Sequence, residues 1–280
     1  MKVHIYKYQG AGNDFIILDN RENLYNFNTD EIEFLCNRKF GVGADGLMLL
    51  QKSDEFDFSM KVYNSNGLES TMCGNGGRCL VAFAYRMGIR NFIFEAVDGI
   101  HSAKILEYSD YKSIVELKMS DVTEFNNYSD NSYFIKTGSP HYVEFIEDIK
   151  NFPLVVKGKY WRYHKDFEGG TNANFVEIFN SEIFVRTYER GVEDETLACG
   201  TGVTASAIAT YLHSKKGYCK RELIVSQQGD NQANEYAKYN IKTLGGDLSV
   251  SFIYNKKDNY FTNVLLTGPA TFVFECEIEI

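Results

Sequence analysis

One short pattern occurs twice in this 280-residue chain, and it restricts the possible folds more than any other feature. Glu69-Ser70-Thr71-Met72-Cys73-Gly74-Asn75-Gly76 and Glu195-Thr196-Leu197-Ala198-Cys199-Gly200-Thr201-Gly202 each place a Glu four residues before a Cys. Cys-Gly-x-Gly follows, then an apolar helical stretch. Leu80, Val81, Phe83, Ala84 and Met87 line the first helix; Val203, Ala207, Ile208 and Leu212 line the second. A Tyr stands twelve residues after each Cys, at Tyr85 and Tyr211. Each helix is predicted to stop near a Gly, Gly88 and Gly217, suited to a left-handed cap. The cysteines are 126 positions apart (73 to 199), nearly half the chain. Two Gly-rich helix starts can resemble each other by chance. An internal duplication, two similar strand-rich halves each with one central helix, is the simpler reading.

The rest of the chain reads as short strands with few helices. Val3–Tyr8 and Phe15–Leu18 are rich in β-branched and aromatic residues. A helix is predicted from Thr29 to about Asn37, with Ile32, Leu35 and Cys36 as its apolar face. Strands are predicted at Phe56–Asn64, Asn91–Ala96, His101–Tyr108 and Ser113–Lys118. The polar stretch Asp121–Asp130 reads as a linker or loop. Strands then resume at Tyr133–Thr137, His141–Ile146, Asn174–Phe179, Glu182–Tyr188, Glu222–Ser226, Lys238–Thr243, Leu248–Tyr254, Asn263–Leu266 and Thr271–Glu277.

Composition excludes several classes. Hydrophobic residues make up 44% and charged residues 24%, with 21 Phe and 19 Tyr available for a core. The net charge of −9 disfavours nucleic acid and membrane surfaces as partners, since both are anionic. No apolar run reaches the roughly 18–20 residues of a membrane span. The start, Met1 to Lys7, lacks a signal-peptide apolar core and reads as a strand, so the expected compartment is the cytoplasm. The six cysteines contain no CxxC pair, and the five histidines no HxxxH, so neither a disulfide framework nor a metal site is indicated.

A Cys directly before a helix faces the uncovered amides of the first turn and the positive end of the helix dipole. Both favour the thiolate. The flanking glycines leave those amides open to an anion such as a carboxylate. Two such starts could direct two thiols at one carboxylate-bearing carbon. Inverting that carbon requires a base on one face and an acid on the other, chemically alike but in opposite protonation states, and a thiolate and a thiol satisfy this. The alternative for Cys73 and Cys199 is a buried small hydrophobe, as free Cys often is. Cys36, Cys79, Cys219 and Cys276 read as packing or surface residues.

Two glycine motifs resemble a dinucleotide loop. Gly41-Val42-Gly43-Ala44-Asp45-Gly46 matches GxGxxG, but its left flank, Glu33–Phe40, reads as helix and its right flank as strand, the reverse of the required order. Gly200 to Ala205 fits GxGxxA and opens a helix, but Glu189–Glu195 separates it from the preceding strand. Nicotinamide binding is not expected.

Several collinear segments identify a resemblance. They are Gly10-Ala11-Gly12-Asn13-Asp14-Phe15, Gly41 to Gly46, Asn64-Ser65-Asn66-Gly67, Met72 to Cys79, Gly138-Ser139-Pro140-His141, Thr171-Asn172-Ala173-Asn174-Phe175, Tyr188-Glu189-Arg190-Gly191 and Glu195 to Gly202. Together the sequence resembles the diaminopimelate epimerase family. The resemblance implies an α/β (α+β) fold of two pseudo-symmetric, strand-rich, barrel-like domains, each around a central helix, with the active site in the cleft between them. Expected domain limits are 1–121 with 268–280, and 122–267. It also implies cofactor-independent interconversion of LL- and meso-diaminopimelate in lysine biosynthesis, with Cys73 and Cys199 as the acid/base thiols and no metal. Amides around Gly74, Asn75, Gly200 and Thr201 would hold the carboxylate at the reacting centre. Asn13, Asn64, Asn172 and Arg190, with Glu189, would hold the distal end; a forked Arg suits a carboxylate and a Glu suits an ammonium. His141 and Glu189 are also associated with catalysis in the family. The chain departs from the commoner pattern at Ser139, where many members carry Asn and where a water could bridge to substrate, and at Gly46, where some carry Gln. The implied partner is a small-molecule substrate, and a homodimer is compatible with the sequence.

Each assignment has a plainer alternative. Asn13, Asn64 and Asn172 could be turn formers. Glu189–Arg190 could be a surface ion pair of little weight. His141 could be a strand-start residue bonded to backbone. Rival functions are a proline racemase-like or phenazine-synthesis-type isomerase, a thiol oxidoreductase or peroxide sensor, and an amino-acid-binding protein without chemistry.

Overall fold

A computed structural model describes residues 1–180, 182–218 and 234–280. They form two compact units: Met1–Leu117 with Gly268–Ile280, and Lys118–Thr267.

The first unit opens with the hairpin β1 (Lys2–Gly10) and β2 (Asn13–Asp19), turned by Ala11 and Gly12, both at positive φ. Helix α1 (Thr29–Cys36) crosses over to β3 (Gly46–Gln51), which pairs parallel to β2. Asn28 caps α1: its side chain accepts from the Glu31 N–H while Glu31 accepts from the Asn28 N–H. Then come β4 (Phe58–Asn64), the short β5 (Glu69–Ser70), α2 (Gly74–Arg86), β6 (Ile93–Ala96), β7 (Gly99–Tyr108) and β8 (Lys112–Lys118). The last strand, β17 (Tyr260–Glu279), pairs with both β8 and β1. The order β1-β2-β3-β4-β6-β7-β8-β17 thus returns to β1 and closes an eight-strand barrel.

The second unit repeats this plan. It contains β9 (Phe125–Asn127), β10 (Ser132–Lys136), β11 (Pro140–Phe145), α3 (Leu154–Arg162), β12 (Asn172–Phe179), β13 (Glu182–Glu189), β14 (Asp194–Thr196), α4 (Gly200–Lys215), β15 (Asn234–Thr243) and β16 (Gly246–Asn255). The pair β10/β11 is antiparallel like β1/β2, and β11/β12 parallel like β2/β3. The pair β13/β15 is parallel like β4/β6, and β15/β16 antiparallel like β6/β7. The duplication read from two helix starts therefore extends to strand order and sense.

Burial explains the arrangement. Every residue of α2 from Gly74 to Ala84 is buried, and so is nearly all of α4. A helix buried on all sides needs walls on all sides. Strands β1, β2, β3 and β7 pack on α2; β10, β11, β12, β13, β15 and β16 pack on α4. Strand β3, Gly-Leu-Met-Leu-Leu-Gln, is apolar and buried from Gly46 to Leu50 because both its faces are covered there. Leu47 and Leu49 join Ile32 and Leu35 of α1 in an outer core. Both central helices end on the predicted glycines. Gly88 and Gly217 have positive φ and donate to Tyr85 and Ser214, while Ile89 and Tyr218 donate to Ala84 and His213, a Schellman closure in each case.

Three expectations need correction. The stretch Asp121–Asp130 is not wholly loop: Phe125–Asn127 forms β9 against β10. No element was expected between 147 and 173, yet α3 lies there. Val155, Val156 and Gly158 are poor helix formers, so its propensity is low. Packing overrides this: a Cβ at Gly158 would lie 2.3 Å from Tyr188 Cβ, so only Gly admits the helix so close to β13. The strands expected at Asn263–Leu266 and Thr271–Glu277 are one strand, β17. Gly268-Pro269 reads as a break, but Gly268–Ala270 pair only with β8, between the segments that meet β16 and β1. The N–H that Pro269 lacks is not needed there. The strand expected at Glu222–Ser226, and Cys219, lie outside the described residues. The Gly41–Gly46 motif follows α1 and precedes β3, as its flanks indicated; Gly41, Val42, Gly43 and Ala44 donate back to Asn37, Leu35 and Cys36 carbonyls and close the end of α1.

Candidate active site

In the first unit, Cys73 is the N-cap of α2, with extended backbone (φ −106°, ψ 150°). Its Sγ accepts the Gly76 N–H at 3.2 Å and its carbonyl accepts the Gly77 N–H. The thiol is thus seated on the uncovered amides of the first turn, on the exposed side of the residue. Gly76 is tightly surrounded: a Cβ would lie 3.2 Å from both Cys73 Sγ and Met48 Sδ, so those side chains would have to give slightly. Asn75 is buried, and its Oδ1 accepts from Arg78 Nη2 at 2.8 Å.

Asn13 begins β2, and its Nδ2 donates to Asp45 Oδ2 at 2.7 Å. Asp45 is held by Arg38, which also forks onto Asp14. Although burial alone would raise Asp14, hydrogen bonds from Arg38 and Lys7 pull its carboxyl down to about 2. Asn64 ends β4 exposed, opposite Gly46, which is opposite Phe15. Asn13 and Asn64 therefore stand at neighbouring strand ends on one rim. A Cβ at Gly46 would lie 2.6 Å from the Tyr63 carbonyl, so in this chain Gly fits where a larger residue would collide.

In the second unit, Cys199 is the N-cap of α4, again extended (φ −112°, ψ 113°), with its carbonyl accepting from Val203. Its Sγ lies 3.4 Å from Thr201 Oγ1. A Cβ at Gly202 would lie 2.3 Å from Asn174 Oδ1, so this glycine too is sterically required.

A line of hydrogen bonds ends at this sulfur. Thr187 Oγ1 donates to Asn174 Oδ1, which turns Asn174 Nδ2 toward the Tyr142 carbonyl (2.9 Å) and His141 Nδ1 (3.1 Å). Nδ1 is therefore an acceptor. Burial pushes His141 down to about 3, with the nearby Arg190 charge acting in the same direction, so the ring is neutral and its proton sits on Nε2. Nε2 donates to Ser139 Oγ at 2.9 Å, as does Asn172 Nδ2 at 3.4 Å, so the Ser139 hydroxyl is left to donate to Thr201 Oγ1 at 3.3 Å; Thr201 Oγ1 and Cys199 Sγ lie 3.4 Å apart, and either can donate to the other.

Asn172 lies opposite His141 across the parallel β11/β12 pair. Its Nδ2 donates to the Pro140 carbonyl at 3.1 Å and to Ser139 Oγ at 3.4 Å, and its Oδ1 accepts the Arg190 N–H at 2.8 Å. Glu189 ends β13, its Oε2 accepting from Thr196 Oγ1 at 2.9 Å. Arg190 is exposed and forms no ion pair among the described residues; its one side-chain bond is to the Gly169 carbonyl at 3.5 Å. Its guanidinium is available to an anion.

The second unit thus gathers Cys199, Thr201, Ser139, His141 and Asn172 into one network, with Glu189 and Arg190 at the adjoining strand end. The first unit gathers Cys73, Gly74 and Asn75 at one helix start, with Asn13 and Asn64 on the barrel rim. The profile described as "Diaminopimelate epimerase" matches residues 5–119 and 133–273. The chain belongs to the diaminopimelate epimerase family.

The diaminopimelate epimerase of Flavobacterium psychrophilum is 46% identical over 279 residues, covering 98% of this chain and 99% of that protein. That of Aquifex aeolicus is 38% identical over 293 residues, covering 98% and 96%. Among solved structures, a PhzF-family phenazine biosynthesis protein from Bacillus anthracis superposes with a TM-score of 0.70 at 12% identity, over 100% of both chains. A probable proline racemase from Agrobacterium radiobacter gives 0.65 at 15%, over 99% of this chain and 93% of that one. These two show the fold, which diaminopimelate epimerases thus share with other families. No helix among the described residues is long and apolar enough to cross a membrane.

Sequence reasoning did not single out three participants in the site. Asn174 orients His141, Thr187 orients Asn174, and Thr137 Oγ1 donates to the Thr201 carbonyl at 2.9 Å. Asn174 stood two residues after Asn172, on the same face of the strand, and that alternation was the available signal.

Proposed function

We propose that this protein interconverts LL- and meso-diaminopimelate by a two-base mechanism without a cofactor, in lysine biosynthesis. Its substrate is a small amino acid. The observation that carries the reading is the pair of cysteines, each the N-cap of a largely buried central helix, in two units of the same topology.

In the forward direction one sulfur, as thiolate, removes the α-proton. The electron pair passes toward the α-carboxylate. Amide donors of the Cys-Gly-x-Gly turns stabilise the charge developing there. The other sulfur, as thiol, returns a proton to the opposite face, and each cysteine finishes in the protonation state the other began with. The reverse reaction exchanges the roles. His141 acts through Ser139 and Thr201 as a positioning residue and holds the Thr201 hydroxyl toward Cys199. Arg190 takes the distal carboxylate, and Asn172, whose two ends are committed to Arg190 N–H and Pro140 O, sets the backbone that carries it. Glu189 takes the distal ammonium.

The test is incubation of reduced, metal-free and pyridoxal-free protein with LL-diaminopimelate in D₂O. Meso product carrying deuterium at the α-carbon is the expected result. No product and no exchange from folded, reduced protein would refute the substrate, and proline-type and phenazine-type substrates would then be tested.

A further inference from the structure

Arg78 lies in the second turn of α2 and is fully buried. A buried guanidinium normally sits against a carboxylate, because an isolated buried charge is costly. Arg78 has no carboxylate partner among the described residues. Nη1 donates to the Gly74 carbonyl at 3.0 Å, Nη2 to Asn75 Oδ1 at 2.8 Å and Nε to the Pro269 carbonyl at 3.3 Å. All three acceptors are neutral. Burial lowers the Arg78 pKa, and negative charge on Cys79 or Cys73 acts in the opposite direction. Cys79 is fully buried, and burial pushes its thiol up to about 12, so it stays neutral near pH 7. Cys73 is exposed and already receives the Gly76 N–H.

The corresponding position in the second unit, five residues after Cys199, is Thr204. Thr204 Oγ1 donates to the Gly200 carbonyl at 2.9 Å, the counterpart of the bond from Arg78 to Gly74. A neutral hydroxyl is therefore enough to satisfy this carbonyl and close the turn. The guanidinium adds a full positive charge that the fold does not need at this place. Both sulfurs also touch a neutral group at the helix start: Gly76 N–H lies 3.2 Å from Cys73 Sγ and Thr201 Oγ1 lies 3.4 Å from Cys199 Sγ.

We propose that Arg78 is an electrostatic positioning residue whose buried charge makes Cys73 the resting thiolate and leaves Cys199 the resting thiol. The proposal rests on the two-thiol reading above. It breaks the pseudo-symmetry of the site: a two-base enzyme needs its thiols in opposite states, and a charge behind one of them sets that difference before substrate arrives. Other ionisable groups on elements packed against α2 are Lys2, His4, Tyr6, Lys7 and Tyr8 on β1, Asp14 and Asp19 on β2, and His101, Lys104, Glu107 and Tyr108 on β7, with Asp98 in the preceding turn. Lys7 and Asp14 pair with each other. Asp98 accepts the Met72 N–H and pairs with His101. Arg78 is thus the cation at this helix start that is not already opposed by a carboxylate among the described residues.

The test reads each thiol without turnover. Iodoacetamide labelling of Cys73 in Cys199→Ala, and of Cys199 in Cys73→Ala, is followed by peptide mass spectrometry from about pH 5 to about pH 10. The midpoint for Cys73 should lie about one pH unit or more below that for Cys199. Arg78→Thr, which copies the second unit and keeps a hydroxyl for Gly74, should raise the Cys73 midpoint by about one unit and slow its labelling at pH 7 about tenfold. It should leave the Cys199 profile unchanged. Arg78→Lys should restore most of the low midpoint. Equal midpoints, a lower midpoint for Cys199, or an Arg78→Thr profile like the parent's would overturn the proposal. If Arg78→Thr does not fold, the Cys73 and Cys199 midpoints in the two Cys→Ala proteins, together with the Arg78→Lys profile, decide. Failure of the two-thiol reading appears separately, as epimerase activity retained by either Cys→Ala protein.

Discussion

The starts of α2 and α4 have the same backbone and different surroundings. Each has an extended Cys as N-cap, a glycine three residues later in close surroundings, and a left-handed glycine closing the helix. Around Cys73 the supporting atoms are backbone amides and one buried guanidinium. Beside Cys199 a line runs through two hydroxyls, a neutral imidazole and an amide. A fixed charge acts over distance and needs no alignment. A line of neutral hydrogen bonds is short-ranged and works only when every member is oriented. Duplication accounts for the shared backbone, and the side chains around the two helix starts have diverged.

The largest effect tests whether both starts are chemical. Cys73→Ala and Cys199→Ala should each lower the epimerisation rate about 10³-fold or more, because each turnover needs both a base and an acid. If one variant kept more than about a tenth of the activity, the halves would not be equal partners.

A smaller contrast concerns packing. A Cβ at Gly202 meets Asn174 Oδ1 at 2.3 Å, whereas one at Gly76 meets sulfur atoms at 3.2 Å. Gly202→Ala should destabilise the protein by about 2 kcal/mol and Gly76→Ala by less than about 1 kcal/mol, offset by the better helix propensity of Ala. Urea midpoints of the two variants, measured side by side, would reverse the comparison if Gly76→Ala proved the weaker.

Acid should separate the units. Burial holds His141 down to about 3 and His213 down to about 4, against 6.5 for the free side chain. Both lie in the second unit. Below pH 6.5 the unfolded chain binds protons that these folded rings refuse, so their contribution is full above about 6.5 and is lost as pH falls toward 3 to 4. Asp14 in the first unit works in a lower window: its stabilisation is present above 3.8 and is lost as pH falls toward 2. Hydrogen exchange, corrected for intrinsic rates, should show β10–β13 opening between about pH 6 and pH 4 while β1–β3 stay protected. Simultaneous opening of both would contradict the assignment.

The smallest effect concerns the hydroxyl line alone. Ser139→Ala removes one neutral link and should lower kcat about fivefold with KM nearly unchanged, the worth of about 1 kcal/mol. A KM change without a kcat change would mean that Ser139 touches substrate instead of orienting Thr201.

Much of the architecture was legible because it is written in local patterns. Glycines past a helix end, a Cys-Gly-x-Gly start and alternating apolar residues act within a few positions, so the strand-rich fold around two central helices could be read directly. What failed depended on remote partners. Helix α3 occupies the crossover between the parallel strands β11 and β12, as α1 does between β2 and β3. The sequence of α1 carries a capping box, whereas α3 has no side-chain cap bond and forms on contact with Tyr142, Phe175 and Tyr188. Strand β17 passes through Pro269 because no partner asks for its N–H at that point.

The sequence by itself determined the duplication, the two thiols at helix starts and the glycines that make each start possible, since all of these follow from short-range backbone geometry. Tertiary structure decided what stands behind each thiol. The parallel register of His141 against Asn172, the antiparallel pairing of Asn174 with Thr187, and the burial of Arg78 under the Pro269 carbonyl join residues up to 191 positions apart. Hydrogen-bond direction and the cost of a buried charge exist only once those residues are packed together, and no local pattern in the chain encodes them.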